Sequence, residues 1–216
     1  THSLSYNFTI TPKFRPGQQW CEVQGQVDGN TFLHSDCGNK NLESSGPLGK
    51  EINGTNAGKE QTETLSNVVE ELRKELLDFH LENFTPSDFL PLQVPLSCQL
   101  EASGRTSGSW QFGSHGQVLL HFVAENATWI LVHPGATQMK AKWQNDKDVT
   151  KFLRNTAVGD CGKLLTSFLD PLKKMQRLPA PPTEAPGTAQ PKSAAKKFFS
   201  CFLPMLLTCS IPLAIL

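Results

Sequence analysis

The segment from Gln61 to Phe84 carries the strongest periodic signal in the chain. At 100° per residue, Leu65, Val68, Val69, Leu72, Leu76 and Phe79 share one narrow stripe. Asn67, Glu70, Glu71, Lys74, Asp78 and Glu82 lie opposite. That spacing predicts an amphipathic helix, which Pro86 stops soon afterwards. A helix with one apolar stripe must lie on another layer, and the short alternating segments around it predict a sheet. Leu77, Leu81 and Phe84 leave the stripe along one flank, which is expected to meet a second helix, a ligand or a partner protein.

Before this helix, Leu4–Thr11 reads as a strand ended by Pro12, Pro16 and Gly17. Gln19–Val27 and Thr31–Cys37 flank Asp28-Gly29-Asn30, a hairpin signal. A hairpin centred on Gly29 sets Cys21 opposite Cys37, where Cβ atoms about 4.5–5.5 Å apart suit a cross-strand disulfide. Two free cysteines, or a register in which they miss, is the alternative. Asn39–Pro47 is expected to be loop and Leu48–Ile52 a short edge strand.

The second half repeats the order. Leu92, Val94, Leu96, Cys98 and Leu100 alternate with Gln93, Pro95, Ser97, Gln99 and Glu101, so Cys98 belongs to the apolar face. Pro95 suggests a bulge or an edge. Ser109–Gly113, Gln117–Glu125 and Thr128–His133 are further strands, and a helical region runs from about Thr137 to Gln176. In it Met139, Trp143, Leu153, Ala157, Cys161, Leu164 and Phe168 share a face, with breaks or bends expected at Asn145–Lys147, Gly159 and Gly162. Cys161 thus looks toward the sheet, and Cys98 looks up from it. A disulfide between them closes a loop of roughly 60 residues and contributes about 4 kcal/mol in the chain-entropy model. Two blocks of hairpin strands, each followed by a long helix, predict an α+β platform: one antiparallel sheet with both helical segments on the same face.

Charge excludes a nucleic-acid surface, because Lys+Arg and Asp+Glu number 20 each and no basic run stands out. The sequons at Asn7, Asn53, Asn83 and Asn126, beside an even cysteine count, point to a secreted glycoprotein. Thr1 is expected to be the mature end, after removal of a signal peptide. Asn83 shares its helical phase with Leu65, on the core side. No catalytic or phosphate-binding motif is found. His115, His121 and His133 lie on separate strands or turns, and Asp146 and Asp148 read as a solvated face. No enzyme activity, cofactor or metal is expected.

A family resemblance adds to this. Tyr6-Asn7-Phe8-Thr9, Trp20-Cys21-Glu22-Val23-Gln24, Thr31-Phe32-Leu33-His34 and Asp36-Cys37-Gly38 carry it in the first half. Leu76-Leu77-Asp78, Glu82-Asn83-Phe84-Thr85-Pro86, Gly108-Ser109-Trp110-Gln111-Phe112 and Val132-His133-Pro134-Gly135-Ala136 continue it. Lys142-Trp143-Gln144-Asn145-Asp146-Lys147-Asp148-Val149-Thr150 and Gly159-Asp160-Cys161 complete it. Over about residues 2–176 the chain resembles the ULBP, or retinoic-acid early-transcript, family of MHC class I-like ligands of the NKG2D receptor. It departs from the usual family pattern at Ala57-Gly58, Val118–Ala124, Val158 and Gly162.

The resemblance implies an MHC class I-like α1–α2 platform over 1–177 that binds the NKG2D receptor homodimer. It also implies no immunoglobulin-like third domain, no β2-microglobulin and no groove peptide. On the first helix the side away from the stripe offers Asn67, Glu71, Lys74 and Asp78, with Leu81 as an apolar member. On the second, Lys151, Phe152, Arg154, Asn155, Val158 and Asp160 lie off the core stripe. Phe152 and Val158 are the expected apolar contacts, flanked by Lys151, Arg154 and Asp160. Ordinary solvated helix faces are the alternative. A platform that binds a lipid or small ligand between its helices is the competing function.

The remaining residues read as a membrane attachment. Pro179, Pro181, Pro182, Pro186 and Pro191 hold an extended stalk in 178–197. The tail 198–216 is uncharged, includes Cys201 and Cys209, and is weakened as a helix by Pro204 and Pro212. A GPI signal fits it: Gly187-Thr188-Ala189 supplies small residues, and Gln190 to Lys197 a polar spacer of about eight. Gly187 is the expected attachment residue, Ser193 the second choice, and a membrane-spanning tail the alternative.

Overall fold

The computed structural model describes residues 1–11, 20–37, 43–81 and 91–177, with side chains of the two long helices described as far as 76 and 175. Strands β1 (His2–Ile10), β2 (Cys21–Val27) and β3 (Asn30–Asp36) precede a short helix α1 (Gly46–Asn53) and a long helix α2 (Asn56–Leu81). Strands β4 (Leu92–Leu100), β5 (Thr106–Ser114), β6 (Gln117–Val123) and β7 (Thr128–Leu131) open the second half. A 3-10 turn (Pro134–Ala136), α3 (Thr137–Asn145), α4 (Lys147–Arg154), a π-helical turn (Asn155–Asp160) and α5 (Cys161–Arg177) follow. Among the described residues the strands form one antiparallel sheet, β3-β2-β1-β4-β5-β6-β7, so the halves meet where β1 pairs with β4. This is the expected α+β platform.

Period-two alternation builds its floor. One row of partners crosses all seven strands: Leu33, Gly25, Tyr6, Leu96, Trp110, Phe122 and Trp129. All of them are buried. Leu65, Val68, Val69, Leu72 and Leu76 of α2 join the same core as Met139, Trp143, Leu153, Ala157, Cys161, Leu164 and Phe168 of the second helical region. Both predicted stripes therefore face the sheet as far as their side chains are described.

Each half contains a hairpin with the same correction built in. The two-residue turn Asp28-Gly29 has φ of 49° and 78°, and His115-Gly116 has 50° and 76°. Such left-handed turns match the twist of the strands they join. Taken alone, the first turn pairs Val27 with Asn30 and would set Cys21 against Asp36. An extra residue, Phe32, shifts the register after Gln26, so that Glu22 pairs with Asp36 and Cys21 lines up with Cys37. Leu119 does the same in the second hairpin, and in each bulge two successive residues are buried: Phe32 with Leu33, Leu119 with Leu120.

The structure corrects three expectations. Leu48–Ile52 is not an edge strand but part of α1, because Leu48 and Ile52 sit four apart on one helical face and Pro47 starts the helix. Gly49 lets α1 seat on β3: a Cβ there would come within 2.2 Å of the Phe32 carbonyl oxygen. The first-half strand expected there is reduced to a single bridge, Leu33 to Ser44. Secondly, α2 starts at Asn56, ahead of the periodic signal, where Gly58 N–H donates to Thr55 Oγ1 at 3.3 Å. Thirdly, Pro95 is neither at an edge nor in a bulge. It lies in the central strand β4, and the ladder to β5 lapses over Val94 and Pro95 without a change of register, as suits a residue with no N–H to donate. The flank of Leu77, Leu81 and Phe84 lies outside the described side chains, as do Phe79 and Asp78. Asn83, Gly187 and the stalk and tail also lie outside the described residues. Among those described, no helix is long and apolar enough to cross a membrane.

Candidate functional site: the helical face

The sheet carries its helices on one face, and that face is the molecule's distinctive surface. Its second side is built from a helix that changes pitch. Asp146 interrupts it first: its Oδ1 accepts from the amides of Asp148 and Val149 at 2.9 and 3.1 Å, so α4 restarts with a side-chain cap. The helix then widens into the π turn Asn155–Asp160. A π turn spreads backbone groups, and here the sheet receives them. Trp110 Nε1 donates to the Leu153 carbonyl at 2.9 Å in the buried interior. Gly108 lies under the turn so closely that a Cβ would stand 2.7 Å from the Ala157 carbonyl oxygen. Gly162 seats just as tightly on Thr106, 2.7 Å from its side chain, which explains a glycine at that departure from the family pattern.

This anchoring sorts the neighbouring side chains. Leu153, Thr156 and Ala157 are buried. Lys151, Arg154 and Asn155 are exposed, and Phe152, Val158 and Asp160 are half-buried. Phe152 and Val158 pack against the core along a ledge of α4 and the π turn, Arg154 reaches the Glu125 carbonyl, and Asp160 turns toward α2. On α2, Asn67, Glu70 and Lys74 are exposed. Lys74 Nζ lies 3.3 Å from Glu71 and 3.9 Å from Glu75, and hydrogen bonding to Glu71 holds its ammonium above the ordinary lysine value. The structure thus places Lys151, Phe152, Arg154, Val158 and Asp160 along one continuous helical stretch, α4 and the π turn, and Lys74 on α2.

The space between the helices is crossed by protein. α2 packs against α5. Closer to the aromatic end, Trp143 Nε1 of α3 donates to Glu75 Oε2 of α2 at 2.8 Å. Trp143 rests on Phe112 and Trp129, with ring centroids 4.6 and 5.8 Å away. Glu75 is buried, and loss of hydration raises its carboxyl above the ordinary value, partly opposed by the Trp143 hydrogen bond and Lys74. The cleft that remains between α2 and α5 is polar and open, lined by Glu60, Glu63, Thr64, Asn67, Asp160, Lys163 and Leu164. Such a lining does not favour a lipid or other apolar ligand between the helices.

Two disulfides fasten this arrangement. Cys21 is bonded to Cys37 across the β2–β3 hairpin, with Cα atoms 5.1 Å apart. Cys98 of β4 is bonded to Cys161, the first residue after the π turn, with Cα atoms 6.1 Å apart. Asn7 is exposed on β1, Asn53 ends α1, and Asn126 is exposed in the β6–β7 turn. His115 sits in its hairpin turn, His121 on β6, and His133 accepts from Gly135 N–H at the 3-10 turn.

Sequence reasoning missed Glu75, Trp110 and Asp146 as architectural residues. Glu75 had a signal: it lies seven residues after Val68 and three after Leu72, on the apolar stripe. Asp146, read as surface charge, precedes Val149 by three residues, the spacing of a helix start. Nothing in the sequence linked Trp110 to a carbonyl 43 residues away.

Comparison with known proteins agrees with this geometry. Residues 1–175 match the family model for class I histocompatibility antigen, NKG2D ligand, domains 1 and 2. The chain is 48% identical over 213 residues to human UL-16 binding protein 5, covering 97% of this chain and 64% of the relative. It is 47% identical to human UL16-binding protein 6, covering 97% and 86%. Human retinoic acid early transcript 1E is 38% identical over 87% of this chain and 70% of its own length. With a platform of this topology and a match across nearly all of it, the chain belongs to the MHC class I-like family of NKG2D ligands.

Proposed function

We propose that this chain is a cell-surface glycoprotein that binds and activates the NKG2D receptor homodimer of natural killer and T cells, marking stressed or infected cells, without presenting a peptide. One observation carries the reading: in a family of NKG2D ligands, this chain bridges the space between its helices with its own side chains, through the Glu75–Trp143 hydrogen bond, and lines the cleft beside it with polar groups. What is left to recognise is the outer surface of the helices. Lys74, Asp78 and Leu81 on the first helix, and Lys151, Phe152, Arg154, Val158 and Asp160 on the second, are the contact residues. Phe152 and Val158 form the apolar centre and the charged residues its rim. The polar outer face of the sheet supports a platform that works without β2-microglobulin. Attachment is through a GPI anchor at Gly187, and glycans are carried at Asn7, Asn53, Asn83 and Asn126.

Surface plasmon resonance with soluble receptor tests the contact surface. Alanine at both Phe152 and Val158 lowers affinity by at least about tenfold, the loss of about 1.4 kcal/mol at a shared hot spot. Unchanged affinity with a normal melting curve removes these two residues from the interface. Phosphatidylinositol-specific phospholipase C releases the protein from expressing cells; surface signal that persists, with the apolar tail still in the mature protein, makes it a spanning protein.

A further inference from the structure

We propose that an N-linked glycan on Asn7 stands at the middle of the sheet's outer face and closes that face to protein partners, so that the helical face is left as the broad docking surface among the described residues. The inference rests on the secretory part of the reading above. It adds what the glycan does.

The position follows from register. Asn7 is on β1, the third of the seven strands, where it pairs with Gln24 of β2 and Pro95 of β4. Tyr6 and Phe8 on either side point into the core and are buried, so alternation turns Asn7 and Thr9 outward together. Asn7 is exposed, although its strand lies within the sheet and pairs along both edges. Its neighbours along the strand, Ser5 and Thr9, are small, and Pro95 beside it is compact. The amide therefore opens on a shallow polar floor with room for a sugar ring.

The surroundings suit a sugar better than a protein. Stable protein interfaces centre on a desolvated, apolar core. Around Asn7 the outer face offers Ser, Thr and Gln side chains and an exposed polar contact, Glu22 with His34 at 2.7 Å. The large exposed hydrophobics among the described residues, Val118, Ile130, Leu131 and Val132, lie instead at the β6–β7 edge, three or more strands away. The other described sequons, Asn53 and Asn126, are at an element end and in a turn, where a glycan covers little of either broad face. The glycan arrives by group transfer from a lipid-linked oligosaccharide diphosphate before β1 is buried in the sheet. The bond from sugar C1 to the phosphate oxygen breaks, C1 bonds to Asn7 Nδ2, and that nitrogen loses one proton as the lipid diphosphate leaves.

The test uses the glycoprotein secreted from mammalian cells. Deglycosylation in heavy-oxygen water followed by peptide mass spectrometry labels Asn7; an unlabelled Asn7 in a protein labelled at Asn53 or Asn126 overturns the proposal. Hydroxyl-radical footprinting then compares the native protein with Asn7→Gln and with Thr9→Ala, which keeps the asparagine but destroys the sequon. Oxidation of Pro95 and His34 rises severalfold in both variants, while Phe152 on the helical face stays constant; unchanged oxidation of the sheet residues overturns the shield. Receptor affinity is the same in all three proteins. A fall in the two variants with intact melting curves would place the receptor on the glycan side and overturn the assignment of faces. Absence of receptor affinity in the native glycoprotein would instead count against the proposed function and leave the mapping intact.

Discussion

The two halves of the platform solve the same problem with different degrees of help from outside themselves. Each makes a hairpin from a left-handed two-residue turn and one inserted residue, Phe32 in one and Leu119 in the other. Above the sheet they diverge. The first half needs one long helix, α2, preceded by a short one seated on β3 through Gly49. The second divides its helical side into α3, α4, a π turn and α5, held to the sheet by Trp110, Gly108 and Cys98. A continuous helix satisfies its own backbone and needs only an apolar face. An interrupted one leaves carbonyls and amides open, and each must be met by a side chain or the floor. The ledge proposed for receptor contact lies on the interrupted side, so its shape depends on distant residues.

Disulfide removal should separate the halves most. Replacing Cys98 and Cys161 by alanine opens a 63-residue span and costs about 4 kcal/mol in the entropy model, against about 3 kcal/mol for Cys21 and Cys37, whose span is 16. Urea unfolding measures both. Equal losses would mean that the sheet-to-helix bond adds no more constraint than the hairpin staple. Trp110→Phe comes next. It keeps most of the ring but strands the Leu153 carbonyl, costing about 1–3 kcal/mol. Receptor affinity should fall in the same variant, because the ledge loses its seat. Unchanged affinity in a variant that has lost stability would uncouple the ledge from its seat on Trp110.

Asp146→Ala removes the α4 cap and should cost about 1 kcal/mol, read by thermal unfolding, with Asp146→Asn or Asp146→Ser recovering most of it. Lack of rescue would mean that the charge matters more than the cap. The smallest effect belongs to Glu75→Gln, which keeps an acceptor for Trp143 Nε1 and removes a buried charge. Below the ordinary carboxyl value of 4.5, Glu75 is protonated in both the folded and unfolded states and the charge costs nothing. As pH rises through its raised folded value, ionisation weakens the fold. The variant should therefore gain up to about 1 kcal/mol at neutral pH and nothing near pH 4. A gain of equal size at both pH values would dissociate the effect from ionisation.

Much of the architecture was legible in the chain. Both apolar stripes and the alternation of β4 run through local spacing, and the buried residues follow them. The Cys21–Cys37 facing was reached by way of a hairpin centred on Gly29, but the real turn has two central residues and Phe32 restores the alignment. The right pairing thus came from a simpler geometry than the one that exists. Leu48–Ile52 was misread because apolar residues four apart suit one face of a strand as well as one face of a helix. The candidate contact residues were found by subtraction, as what the second stripe leaves outside. On the regular helix α4 subtraction anticipates the exposure of Lys151 and Arg154, but it says nothing of the widened turn that carries Val158 and Asp160.

The sequence by itself determined which residues face the core, that two strand-then-helix blocks share one sheet, and that Cys98 and Cys161 look toward each other. Periods of two and of 3.6 are properties of consecutive residues and need no partner to be read. Only the tertiary structure decided that α2 touches α5, that Glu75 reaches Trp143 across the gap, and that Trp110 and Gly108 anchor a π turn. Those outcomes depend on where a second element comes to rest. A buried carboxylate or a freed carbonyl is stable only beside the particular donor that the completed fold delivers to it.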